Sequence, residues 1–178
     1  MRSLGLLVSR VILGGYLAVH GAQKLFGSFG GPGLEATAAG FDGLGLRPGK
    51  LMATVAGASE LGGGVLTATG VADPLGPLVI AGTMAVASTV HRQQGAMSQN
   101  GGFELPLTNL AVAVALLGSG SGRLRLGPPL SKSMTRVCAL AGVALAAGSV
   151  AQMLRARPAV PTAPAEDAAA EPAHAQES

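Results

Sequence analysis

The chain is built around five apolar stretches, separated by links rich in Gly, Pro or basic residues: about Leu4 to Phe26, Leu51 to Val71, Leu78 to His91, Phe103 to Gly118 and Met134 to Leu154. Each lies near the roughly 20 residues that a helix needs to cross the hydrocarbon of a bilayer, although several are short or loosely bounded. Only 12% of the residues are charged and 48% are hydrophobic, whereas a soluble domain carries about 25% charged residues. A soluble surface needs charge that this chain does not have, and lipid is the solvent that fits. The 28 glycines and the absence of Trp favour helices that approach each other closely, as membrane helix interfaces do. The expected fold is therefore all-α, a transmembrane helical bundle.

The links set the order of the elements. Met1-Arg2 followed by an apolar run has the form of a signal peptide. No small-residue cleavage site follows, and His20 and Lys24 stand where cleavage would fall, so an uncleaved helix is expected. From Gly27 to Lys50 the chain is rich in Gly, with Pro32 and Pro48, and only Glu35 to Phe41 has the composition for a short interfacial helix. Asp73-Pro74 and Gly76-Pro77 make a tight turn, which predicts that the second and third spans are antiparallel neighbours. Pro106 falls in the first turn of the fourth span, where its missing N–H costs nothing. From Arg155 onward Pro, Ala and Glu dominate without periodicity, which predicts a disordered acidic tail over 155–178.

All the Lys and Arg residues lie at or before Arg157, while Glu166, Asp167, Glu171 and Glu177 lie after it. A strongly basic membrane part fits loops that attract anionic lipid, and without aromatic-interleaved basic patches no nucleic-acid partner is expected. The basic residues divide evenly between the two sides. The densest cluster, Arg123 to Arg136, then favours an N-terminus inside, with the tail outside. The lone Cys138 cannot form an intramolecular disulfide, and no metal or flavin motif is present.

Ionisable groups inside such segments cost roughly 2.5 to 3.5 kcal/mol each to insert, so each needs a partner, water or a function. In the first span Tyr16, His20, Gln23 and Lys24 fall within one stripe of the helix, with Gly14, Ala18 and Ala22 opposite. Glu60 lies near the middle of the second span among Gly57, Gly62, Gly63 and Gly64, and by depth and charge its partners are Lys24 or His20. His91 and Glu104 emerge on the side that holds Lys24, as do Phe26, Phe29, Phe41 and Phe103. Two readings stand for this half of the molecule. One is an interfacial aromatic belt with a structural ion pair and a snorkelling lysine. The other is a site in which His91 and Glu104 exchange protons and the rings hold a planar apolar ligand. Asn109 and Thr108 read as interhelical glue.

The segment Val19-His20-Gly21-Ala22-Gln23-Lys24-Leu25-Phe26-Gly27 resembles the first-helix signature of the DoxX family of small bacterial membrane proteins. Glu60-Leu61-Gly62-Gly63-Gly64 and Gly101-Gly102-Phe103-Glu104-Leu105-Pro106-Leu107-Thr108-Asn109-Leu110 resemble its second-helix and fourth-helix elements. The resemblance implies a four-helix membrane domain over 1–126, followed by a linker and a fifth span over 127–154 that lie outside it. It also implies a multi-pass protein of the bacterial inner membrane with a redox-linked role. The expected cofactor is a quinone, not covalently held, and the expected partners are the lipid membrane and redox enzymes. His20, Lys24, Glu60, His91 and Glu104 are then the candidate residues of a polar pocket, with no metal. The alternative is a non-enzymatic anchor whose loops or tail recruit soluble partners.

Overall fold

A computed structural model describes residues 2–156, and the expected disordered tail lies outside the described residues apart from its first two positions. Those two, Arg155 and Ala156, are helical. The described chain holds six α-helices: α1 (Arg2–Phe26), α2 (Gly33–Gly43), α3 (Gly49–Thr69), α4 (Leu75–His91), α5 (Glu104–Ser119) and α6 (Lys132–Ala156). The architecture is all-α, as the apolar stretches imply.

Local chemistry explains the helix ends. The Asp42 carboxylate accepts a hydrogen bond from the Gly49 N–H at 2.8 Å, which satisfies one of the free donors at the start of α3. At the other end Gly70 adopts φ +69° and its N–H donates to the Leu66 carbonyl at 2.9 Å, the left-handed cap that glycine supplies without strain. Pro106 sits in the first turn of α5, where proline is tolerated. The weak helical patch expected at 35–41 is a full helix, α2, because Gly33 and Leu34 extend it backward and Asp42 and Gly43 forward.

The helices do not all have the reach expected of them. Ser3–Phe26, Gly49–Thr69 and Lys132–Arg155 are long and apolar enough to cross a membrane. Helices α4 and α5, with 17 and 16 residues, extend only about 25 Å. That is less than the roughly 30 Å of hydrocarbon. Turn-forming sequence cuts both short: Asp73-Pro74 before α4, and Gly120 and Gly122, each with positive φ, after α5.

Helices α1, α3, α4 and α5 form a closed ring of neighbours, α1 against α3 and α5, and α4 against α3 and α5. Their shared interior holds Leu13, Leu17, Ile80, Met84, Ala113 and Leu116. The closest pair is α1 and α3, and it depends on the absence of side chains. A Cβ at Gly64 would stand 2.5 Å from the Gly14 carbonyl oxygen, and one at Gly21 would stand 2.5 Å from that of Gly57. Helix α2 lies on α3, and α6 packs outside the ring, chiefly on α4.

Candidate functional site

Close α1–α3 packing brings the charged residues of these two helices together. Lys24, near the end of α1, donates from Nζ to Glu60 Oε1 at 2.5 Å. Glu60 is 3% exposed, too deep for bulk water to compensate its charge, and the pair meets that need directly. Its second oxygen, Oε2, is buried and has no hydrogen-bond partner. An acceptor left unfilled in such surroundings is costly. Gly57 permits the approach: a Cβ there would meet the Leu25 side chain at 2.7 Å and the Lys24 Cβ at 3.4 Å.

The ion pair forms one wall of a cavity of about 210 Å³ between α1, α4 and α5. Tyr16, His20, Lys24, Glu60, His91 and Asn109 bring polar groups to it, and Leu17, Met84, Ala87, Leu105 and Pro106 bring apolar surface. Ser98, Gly101 and Gly102 reach it from the α4–α5 link, so it lies toward the Lys24 end of the bundle. Such a division between an apolar body and a few convergent polar groups is typical of small-molecule sites.

The histidines are held in defined roles. His20 Nδ1 donates to Gln23 Oε1 at 2.9 Å and Nε2 accepts from the Tyr16 hydroxyl at 2.9 Å; the Tyr16 ring meets the imidazole edge-on at 4.6 Å. His91 Nδ1 donates to the Gly101 carbonyl at 2.7 Å. A carbonyl can only accept, so the proton is on Nδ1 and the other ring nitrogen is left for a further partner.

Four of the five candidate pocket residues, His20, Lys24, Glu60 and His91, line this cavity together. Glu104 does not. Its carboxylate accepts from the Ser98 N–H at 3.0 Å at the exposed start of α5, while His91 turns to Gly101, so the expected His91–Glu104 exchange has no direct contact behind it. The phenylalanines also stand elsewhere. Phe26 and Phe29 are 70% and 76% exposed, Phe41 packs against Leu46, Val90 and Met153, and the aromatic ring of the cavity is that of Tyr16. Asn109, read as interhelical glue, is a lining residue.

One buried charge escaped the sequence reading. Arg10, counted there only as a basic residue for topology, is 1% exposed at the opposite end of the bundle. It donates from Nη1 to the Ser121 carbonyl at 2.8 Å and from Nη2 to the Leu124 carbonyl at 2.5 Å. Its partners are backbone atoms more than a hundred residues away, so no side-chain pattern announces them. A buried Arg in the first turns of an apolar helix is the only signal present.

The fold and the site together define an all-α membrane protein with an ion pair and a half-polar cavity inside its helix ring. Residues 5–92 match the DoxX family model, and the chain belongs to the DoxX family. The matched segment carries His20, Lys24, Glu60 and His91, and ends before Glu104 and Asn109. No curated protein and no solved structure matches the chain.

Proposed function

We propose that this chain is the integral membrane subunit of a redox-linked complex, quinone-dependent or related to thiosulfate or oxidative stress. Its cavity takes a quinone head group and exchanges protons with it. The observation that carries this reading is the unfilled Glu60 Oε2 beside Lys24, set in a cavity whose remaining polar side chains are two histidines, a tyrosine, an asparagine and a serine. Quinone reduction consumes two electrons and two protons. The electrons come from a partner or substrate; the chain's own groups supply protons and place donors against the carbonyl oxygens. The apolar wall of Leu17, Met84 and Leu105 suits the ring face. On this reading the protein is a multi-pass component of a bacterial inner membrane.

The alternative is a non-enzymatic anchor or scaffold that recruits soluble partners. It is favoured by α6, a helix long enough to cross the membrane that packs outside the helix ring and lines no part of the ion-pair cavity, as an added anchor would.

Glu60→Gln keeps the size of the side chain and removes its charge, so it separates the two readings. In the purified native complex, quinone-linked turnover and quinone binding fall at least about tenfold, because a charge-assisted hydrogen bond contributes roughly 1.5 to 3 kcal/mol. Unchanged turnover with intact partner association would leave the anchor reading standing.

A further inference from the structure

A second cavity, of about 590 Å³, lies between the α2–α3 link and the last two turns of α6. Its walls are Gly45, Arg47, Gly148, Ala151, Gln152 and Arg155. The junction that shapes it is fixed. Leu46, Val90 and Met153 are buried against one another, and the Gln152 side-chain amide donates to the Arg47 carbonyl. Two guanidinium groups therefore line one space. Like charges repel, and among the described residues neither has an acidic partner: the ion pairs there are Lys24–Glu60 and Lys50–Glu35. Asp42 is engaged by the Gly49 N–H.

Position narrows the chemistry. Arg47 stands just before α3 and Arg155 near the end of α6, the same end of two helices long enough to cross the membrane. That level is the headgroup region, where arginine attracts phosphate bidentately and anionic lipids gather. Exposed apolar surface continues down α6 from the cavity, with Leu145 at 70% and Val143 at 68% exposed, and this is where acyl chains lie. We propose that Arg47 and Arg155 hold the phosphate of an anionic membrane phospholipid.

The test uses the full chain, reconstituted in vesicles of phosphatidylcholine with one-fifth phosphatidylglycerol, then extracted in mild detergent for native mass spectrometry. The wild-type chain retains a phosphatidylglycerol that Arg47→Gln/Arg155→Gln binds about thirtyfold more weakly, and each single variant about fivefold more weakly. Arg123→Gln/Arg125→Gln, at the other end of the bundle, leaves retention unchanged. The proposal is overturned if the Arg47/Arg155 variants retain lipid as the wild type does, or if the Arg123/Arg125 control loses it equally. Displacement by millimolar inorganic phosphate would also overturn it, because the oxyanion would then be a free one. So would a rise in retention when Glu166, Asp167, Glu171 and Glu177 are all converted to their amides, since the acidic tail would then be the occupant.

Discussion

The two ends of α1 each carry a cation into the bundle, Arg10 1% exposed and the Lys24 side chain 28% exposed, and they treat it in opposite ways. At one end Arg10 is enclosed: its guanidinium is bound by two backbone carbonyls of the segment after α5. That segment is itself laced to the α3–α4 turn by Leu126 N–H to Thr69 O and Leu130 N–H to Asp73 O, and by Ser121 N–H to the Asp73 carboxylate. At the other end Lys24 meets a carboxylate with one oxygen to spare, beside open volume. Backbone carbonyls cannot change their charge or leave, so Arg10 works as a rivet. A carboxylate can take up or release a proton, so the Lys24 end can answer to a ligand. At both ends one atom of the charged group, Arg10 Nε or Glu60 Oε2, is buried without a hydrogen-bond partner. The dehydration cost differs in that backbone encloses Arg10 while open volume lies beside Glu60.

If that contrast is right, the largest effect on stability belongs to the closed end. Arg10→Met removes both hydrogen bonds and leaves the Ser121 and Leu124 carbonyls unpaired. It destabilises the protein by about 3 kcal/mol, read as a loss of thermal stability in detergent, while folded protein keeps the wild-type affinity for the proposed quinone ligand. A loss of affinity without a loss of stability would break the comparison.

The open end is sharpened by a double-mutant cycle of Lys24→Met and Glu60→Gln. The coupling on stability comes out at about 1 kcal/mol, below the Arg10 effect, because Lys24 keeps a 28% exposed side chain that solvent and headgroups partly compensate. A coupling as large as the Arg10 effect would make this pair a second rivet.

The smallest expected effects distinguish the cavity from its rim. Asn109→Ala weakens binding of the proposed quinone ligand about fivefold, the loss of roughly one neutral hydrogen bond, with little change in thermal stability. Glu104→Gln leaves binding unchanged in the same titration, since its carboxylate faces the α4–α5 link. If Glu104→Gln weakened binding more than Asn109→Ala, the cavity would have been drawn around the wrong residues.

Much of this molecule is legible in its residues, and the reason is depth. Position along a helix converts to height in the membrane at 1.5 Å per residue. Sequence therefore places Glu60 near mid-span, Lys24 near the end of its helix, and His91 and Glu104 on that same side. Height does not specify azimuth or lateral place. His91 and Glu104 share a level, yet the link between them turns His91 toward Gly101 and Glu104 toward Ser98. The phenylalanines share that level too, and none of them enters the cavity.

Sequence by itself determined the membrane character, the helical class, the order of the elements and the burial of Glu60. These follow from local composition and from a cost of charge in hydrocarbon that no packing removes. Only the tertiary structure decided that α1, α3, α4 and α5 close into a ring, that Lys24 takes Glu60 and leaves His20 to Tyr16 and Gln23, and that Arg10 is enclosed by the loop after α5. Those outcomes rest on contacts between atoms far apart in the chain, several of them backbone atoms, whose meeting depends on where glycine lets two helices touch.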